Sequence, residues 1–244
     1  MTTPAPAAPR AYRRLSVEER RGQLLAAALR LFAHLPPEEV SLDDVAEAAG
    51  VSRPLVYRYF PGGKQQLYES ALRSAADELR RCLTEPPSGP PPTERLATLL
   101  DRYLAFVADR DTGFSALLRG GSVAETSRTT AIVDEVRRAA ADQILVQLGA
   151  DGPGPRLRML VRTWIAAVEA ASLIWLDENK RPAAPELRDW LIDHLLALLA
   201  ASAATDPETA ATVGGLIARE RGDGRAARLA RGVRSALRDA AEAP

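Results

Sequence analysis

The chain carries a single cysteine, Cys82, and two histidines, His34 and His194, among 244 residues. A lone thiol closes no intrachain disulfide and builds no thiolate metal cluster. Neither histidine lies near Cys82 in sequence, so a nucleophile–base pair has no support, and Cys82 reads as a half-buried helical thiol. Lysine is equally scarce: Lys64 and Lys180 are the only two, and arginine supplies the remaining positive charge. The formal net charge is zero, so no global field draws nucleic acid to the surface and any such contact must rest on local charge. The apolar stretches around Ile165 and Leu195 are broken by Glu169, Asp193 and His194, so no membrane span is expected. The opening MTTPAPAAPRAYRR lacks the apolar centre of a secretory signal, and a cytoplasmic location is expected. There is no phosphate-cradling glycine loop and no carboxylate pair within a recognisable motif, which argues against an enzyme. No metal or cofactor is expected.

Strand-like alternation is missing as well. Apolar residues recur at helical spacing almost throughout, so the expected fold class is all-α. The segments 85–92 (EPPSGPPP) and 151–155 (DGPGP) are breaks that no helix crosses. Between and around them the pattern predicts helices over 64–83, 93–109, 114–119, 124–148, 155–179 and 185–204.

The densest signal lies in residues 41–60, SLDDVAEAAGVSRPLVYRYF. Ser41 suits a helix N-cap, and Asp43 and Asp44 suit the positive end of the helix that follows. Leu42, Val45, Ala46 and Ala49 mark one apolar face. Gly50 ends the helix by entering left-handed backbone without a side-chain clash. Ala46 is small where a second helix crosses, and Val51 fills the corner. Ser52 is read as the cap of that second helix, with Pro54 in its first turn, where a missing N–H costs nothing. Val56 and Phe60 face inward, which leaves Arg53, Leu55, Tyr57, Arg58 and Tyr59 for the outer face. Arginine reaches guanine edges or phosphates, and tyrosine hydroxyls donate to phosphates, so this face is read as a DNA-reading surface. The plain alternative is a helical hairpin whose tyrosines pack against neighbours.

AxxAGVSxxxVYRYF, then a lysine and LYESAL, together with the preceding RRGQLLAAALRLFAHL, resembles the tetracycline-repressor (TetR) family of bacterial transcription regulators over about residues 16–80. The resemblance implies an all-helical homodimer, with a three-helix helix-turn-helix DNA-binding domain at the N-terminus and a helical ligand-binding and dimerisation domain behind it. It implies that Ser41 and Lys64 touch phosphates. Arg53, Pro54, Leu55 and Tyr57 would lie nearest the bases, with Arg58 and Tyr59 towards the backbone. It also implies an inverted-repeat operator, and repression relieved by a small-molecule effector. Two positions depart from the pattern. Pro54 stands where glycine is frequent, and the run from Phe60 to Lys64 is one residue longer than the common spacing, which bears on the reach of Lys64.

The expected organisation is a disordered leader (1–15), the DNA-binding domain (16–80), the ligand-binding and dimerisation domain (81–204), and a helical extension (205–244), loosely docked. Arg10, Arg13 and Arg14 form either an arm towards DNA or a solvated tail. Leu157, Val161, Trp164, Val168 and Trp175, with Leu160, Ile165 and Leu176 on other sides, make one helix apolar nearly all round. Paired with Leu187, Leu191, Leu195 and Leu198, it is read as a dimer element, the alternative being an intramolecular core. Tyr103, Phe106, Trp164, Glu169 and Arg162 are the candidate ligand residues, with Phe114 as another large apolar group in the region. Arg162 is placed on the face of Glu169 as its partner, and the apolar company favours a hydrophobic effector. Residues 225–242 read as an amphipathic helix that docks on the body, touches DNA or stays loose. A sequence-indifferent architectural DNA-binding protein is the rival reading.

Overall fold

A computed structural model describes residues 15–84, 89–112, 114–115, 127–220 and 224–225. Among these residues the chain is helical, with no strand. The head comprises α1 (Val17–His34), α2 (Leu42–Ala48) and α3 (Arg53–Tyr59), and α4 (Gly63–Leu83) leaves it for the body. The body adds α5 (Pro92–Asp109), α6 (Ser127–Leu148), α7 (Pro155–Asp177), α8 (Ala184–Ala203) and α9 (Pro207–Arg219).

Local chemistry sets the helix starts. Ser16 and Glu19 form a reciprocal capping box at α1, as Ser41 and Asp44 do at α2. Proline stands in the first turn of α3, α5, α7, α8 and α9, where its missing N–H has no helical partner to lose.

Two apolar clusters organise the chain. The head closes over Leu24, Ala28, Phe32, Val45, Val56 and Phe60, and the body over Leu100, Leu104, Leu157, Trp164, Leu191 and Leu195. α4 serves both, with Leu67, Tyr68 and Ala71 in the head cluster and Leu79 and Leu83 in the body cluster. Two tryptophans on α7 fix its neighbours. Trp164 Nε1 donates to the Leu191 carbonyl at 3.0 Å, and Trp175 Nε1 donates to that of Pro182 at 2.7 Å.

This packing assigns the apolar stripes of α7 and α8 to the chain's own core. The stripe Leu157, Val161, Trp164, Val168 and Trp175 is buried within its own chain, as are Leu187, Leu191 and Leu195. Leu160, Ile165, Leu176 and Leu198 pack partly on the same core. The face left to solvent is the opposite one, carrying Met159 and Ile174, each 62% exposed, and Trp190 of α8 at 54%. Between Met159 and Ile174 the exposed positions of α7 are Arg162, Thr163, Ala166 and Ala170. Length and composition alone would let α7 cross a bilayer. Here it is packed against α5, α6 and α8.

The extension is not loose over residues 207–219. α9 packs on α8 and α6, and it buries Leu216 in the body core. Its two ends also tie down other helices. Glu208 accepts from Gly154 N at the start of α7, and Arg219 donates to the Leu148 carbonyl at the end of α6. Glu220 accepts from the Thr93 amide (2.7 Å) and hydroxyl (2.8 Å) in the first turn of α5. These contacts satisfy helix-terminal groups that have no partner inside their own helices. Gly149, at φ +72°, lets Arg219 approach, because a Cβ there would lie 2.5 Å from the guanidinium. Beyond α9, Arg225 pairs with Asp193 at 2.7 Å and Asp189 at 2.9 Å.

The expected short helix over 114–119 is helical at 114 and 115, and its remainder lies outside the described residues. Arg10, Arg13 and Arg14 lie outside them too, as does the amphipathic run beyond Arg225. Glu220→Ala is expected to strip two hydrogen bonds from the start of α5 and cost about 1–2 kcal/mol. For a chain of this size that lowers the melting temperature by about 2–8 °C, measurable by thermal denaturation.

Candidate nucleic-acid interface and ligand cavity

The elbow between α2 and α3 is built as the residue types require. Gly50 sits at φ +63°, and Val51 N reaches back to the Ala46 carbonyl at 2.9 Å, closing the end of α2. From α1, Gln23 Nε2 donates to the Ala49 carbonyl at 2.7 Å and seats this end against the head. Val56 and Phe60 are fully buried, Ala46 lies in the crossing, and Arg21 stacks over the Phe60 ring at 4.9 Å.

Arg53, Pro54, Tyr57 and Arg58 are exposed together on α3, and Leu55 is half-buried beside them. Tyr59 departs from the outward reading. It is half-buried and packs on the head core, because a seven-residue helix docked through Val56 and Phe60 also turns position 59 towards the protein. Ser52 departs as well: it occupies the N-cap position of α3, but its hydroxyl makes no capping bond there.

Ser41 is committed to α2. Its hydroxyl accepts from Asp44 N at 3.1 Å and donates to the Asp44 carboxylate at 2.7 Å. Bonds from the Ser41 hydroxyl and backbone hold the Asp44 carboxyl below the usual range. Lys64, on the first turn of α4, donates from Nζ to the Glu38 carbonyl at 2.8 Å. Its ammonium therefore lies beside the loop that leads into Ser41, on the side of the head where α2 begins.

One contact on this surface escaped the sequence reading. Arg53 Nη1 meets Asp43 Oδ2 at 2.9 Å, and the guanidinium lies over the Tyr57 ring at 5.6 Å. Asp43 thus does more than favour the start of α2, since it orients the first arginine of α3 across the elbow. Ten residues separate the pair in sequence, so only the fixed turn reveals it.

A second feature lies between head and body. A cavity of about 160 Å³ is walled by the end of α1, by α4, α5, α6 and α7, and by Arg110 and Phe114. Tyr103, Phe106, Trp164 and Glu169 line it. Arg162 does not; its side chain is exposed. Seven residues place Arg162 about 10 Å along the axis from Glu169, too far for direct contact. Arg137 of α6 takes that place, its Nε and Nη2 meeting the Glu169 carboxylate at 3.0 and 2.9 Å. Nothing in the local sequence of α6 singles out Arg137; the pairing follows from helix packing.

A short helix held proud on a glycine elbow, with arginine and tyrosine on its open face, is a helix-turn-helix reading head. The cavity lies beneath it. Residues 24–71 match the family described as bacterial regulatory proteins, tetR family, and residues 92–198 match the tetracyclin repressor-like C-terminal domain. A tetR-family transcriptional regulator from Streptomyces coelicolor is 45% identical and superposes with a TM-score of 0.85, over 91% of this chain and 99% of that one. The HTH-type transcriptional activator FasR of Mycolicibacterium smegmatis is 28% identical over 69% of this chain and 77% of its own. FadR of Bacillus subtilis, solved in complex with stearoyl-CoA, shares the fold at 15% identity and a TM-score of 0.58, over 71% of this chain and 96% of its own. The chain belongs to the TetR family of transcriptional regulators.

Gly50→Ala is expected to force a Cβ into left-handed backbone, although nothing lies within 4 Å of it. The cost is conformational, about 1 kcal/mol. Urea unfolding of the variant measures it.

Proposed function

We propose that the chain is a homodimeric repressor of the bacterial cytoplasm that binds a near-palindromic operator and releases it when a long-chain apolar effector fills the cavity. The reading head would span residues 16–80 and the sensing body 81–204, with the extension as part of that body. The single observation that carries the reading is the exposed Arg53, Pro54, Tyr57 and Arg58 face on a helix seated by Val56 and Phe60. In this reading Arg53, Pro54, Leu55 and Tyr57 meet base edges, and Arg58, Ser41 and Lys64 meet phosphates. Tyr59 contributes at most its hydroxyl edge, since its ring packs on the head.

The dimer is supported by the outward face of α7 and α8, where Met159, Ile174 and Trp190 are exposed and Ala166 and Ala170 lie between the first two, with Arg162 at the edge. Two such helix pairs meeting about a two-fold axis would bury this face and set the heads roughly 34 Å apart, or a multiple, to reach successive major grooves. An effector acts by preferring one head separation over the other, and no shift exceeds that preference. The cavity walls support an apolar effector, and the stearoyl-CoA held by the Bacillus subtilis FadR supports a fatty-acyl chain. Activation is the second reading, favoured by the naming of the Mycolicibacterium smegmatis FasR as an activator. Transcription in vitro from the operator, with and without protein, separates the two.

Arg53→Ala is expected to relax discrimination at particular base pairs by about 1–3 kcal/mol in competition binding. Uniform weakening over every duplex would make Arg53 a phosphate contact. Ala166→Arg should yield monomers by analytical ultracentrifugation and cut operator affinity at least about tenfold, because a long second cation beside Arg162 would replace a small residue at the centre of the proposed seam. A stable dimer in that variant would move the interface elsewhere.

A further inference from the structure

The two arginines on the open face of α3 are held differently. Arg58 forms no ion pair with another described residue. Arg53 has Nη1 2.9 Å from the Asp43 carboxylate of α2 and Nη2 3.5 Å from the Tyr57 hydroxyl, and its guanidinium lies 5.6 Å from the centre of the Tyr57 ring. A carboxylate from one helix and a ring from the next thus bracket this one cation.

The fold asks little of Asp43. Ser41 and Asp44 complete the capping box of α2 without it. The side chains of Arg53 and Asp43 are 56% and 58% exposed, and a pair so open to water adds little to stability. Asp43 also stands beside the face proposed to meet DNA, where a carboxylate repels phosphates. Its distinct effect is the hold on Arg53. Arginine distinguishes guanine by presenting two N–H groups in one plane to O6 and N7. A guanidinium left free on its long stem also reaches phosphates, which carry no sequence. One of the five N–H groups of Arg53 is given to Asp43, and that bond limits the swing of the whole side chain.

We infer that Asp43 is a positioning residue for sequence recognition, holding Arg53 towards a base edge and away from phosphates. It sharpens discrimination at one base pair, while its charge weakens binding to duplex DNA of any sequence. This deepens the base contact proposed above for Arg53 and rests on it. Asp43 acts through Arg53 and touches no base itself. Its removal therefore moves affinity and selectivity in opposite directions, which neither a plain phosphate contact nor a merely structural residue does.

The full chain first selects its preferred duplex from a random-sequence library. Fluorescence anisotropy then compares the unaltered chain, Asp43→Asn, Arg53→Ala and the double variant. Each is titrated with the selected duplex, its single-base-pair variants and an unrelated duplex at several salt concentrations. Asp43→Asn should bind the unrelated duplex about three- to tenfold more tightly, with a salt slope steeper by about one as Arg53 turns to a phosphate. Discrimination at the base pair that Arg53 meets should fall at least about fivefold. In the Arg53→Ala background, Asp43→Asn should leave the base-pair profile unchanged. An equal gain on every duplex with the profile intact makes Asp43 a bare charge and overturns the inference, while the Arg53 contact stands. A profile that Asp43→Asn alters even without Arg53 makes Asp43 a base contact itself, which also overturns it. Weaker binding to every duplex overturns it by tying Asp43 to the fold of the head. If Arg53→Ala leaves the profile unchanged, the Arg53 base contact fails and the inference with it.

Discussion

The structure hangs on α4, one helix shared by two hydrophobic clusters. Its first half is sealed into the head by Leu67, Tyr68 and Ala71, and its second half into the body by Leu79 and Leu83. A close-packed interior transmits displacement because neither cluster has slack to absorb it. Ion pairs stitch the same helix sideways, Arg73 to Glu135 and Glu69 to Arg128 on α6, and Glu78 to Arg110 after α5. The cavity opens on this helix and on the end of α1, so its walls belong to the head as well as to the body.

The head is the part that the sequence made most legible, and the reason is local. A Ser-Asp cap, a glycine elbow and a buried Val56–Phe60 pair each act within a few residues, so spacing alone expresses the geometry. The helices of the body were legible too, because proline and glycine runs mark their ends. Partners across helices were not. Arg162 and Glu169 share a helical face, yet the carboxylate pairs with Arg137 of α6, which lies 32 residues away. The apolar stripe of α7 gave its burial correctly but did not say which of its sides meets its own chain, because a helix apolar on most sides does not announce it. Tyr59 shows the same limit at small scale, since periodicity over seven residues leaves its orientation open by a third of a turn.

Charge follows a similar logic of placement over amount. The chain has no net charge, yet Arg53 and Arg58 stand on one exposed face. Arg53 is held by Asp43, a carboxylate that lowers the local field while restricting the guanidinium to one direction. Affinity and orientation pull against each other at this elbow. A surface ion pair of this kind contributes little to folding, at most about 1 kcal/mol. In the proposed DNA contact, its value lies in limiting the positions from which the arginine can approach a duplex.

The tethers made by α9 have a mechanical result. Glu208, Arg219 and Glu220 rivet the Gly154 end of α7, the Leu148 end of α6 and the Thr93 end of α5 into one knot. The halves of α5 and α6 that carry Phe106 and Ile132 lie at the other end, beside α1. Those far ends are held to α4 instead, by the pairs of Arg128 with Glu69, Glu135 with Arg73 and Arg110 with Glu78. In the proposed effector reading, a guest lodged between them bears on α4, the beam on which the head is mounted.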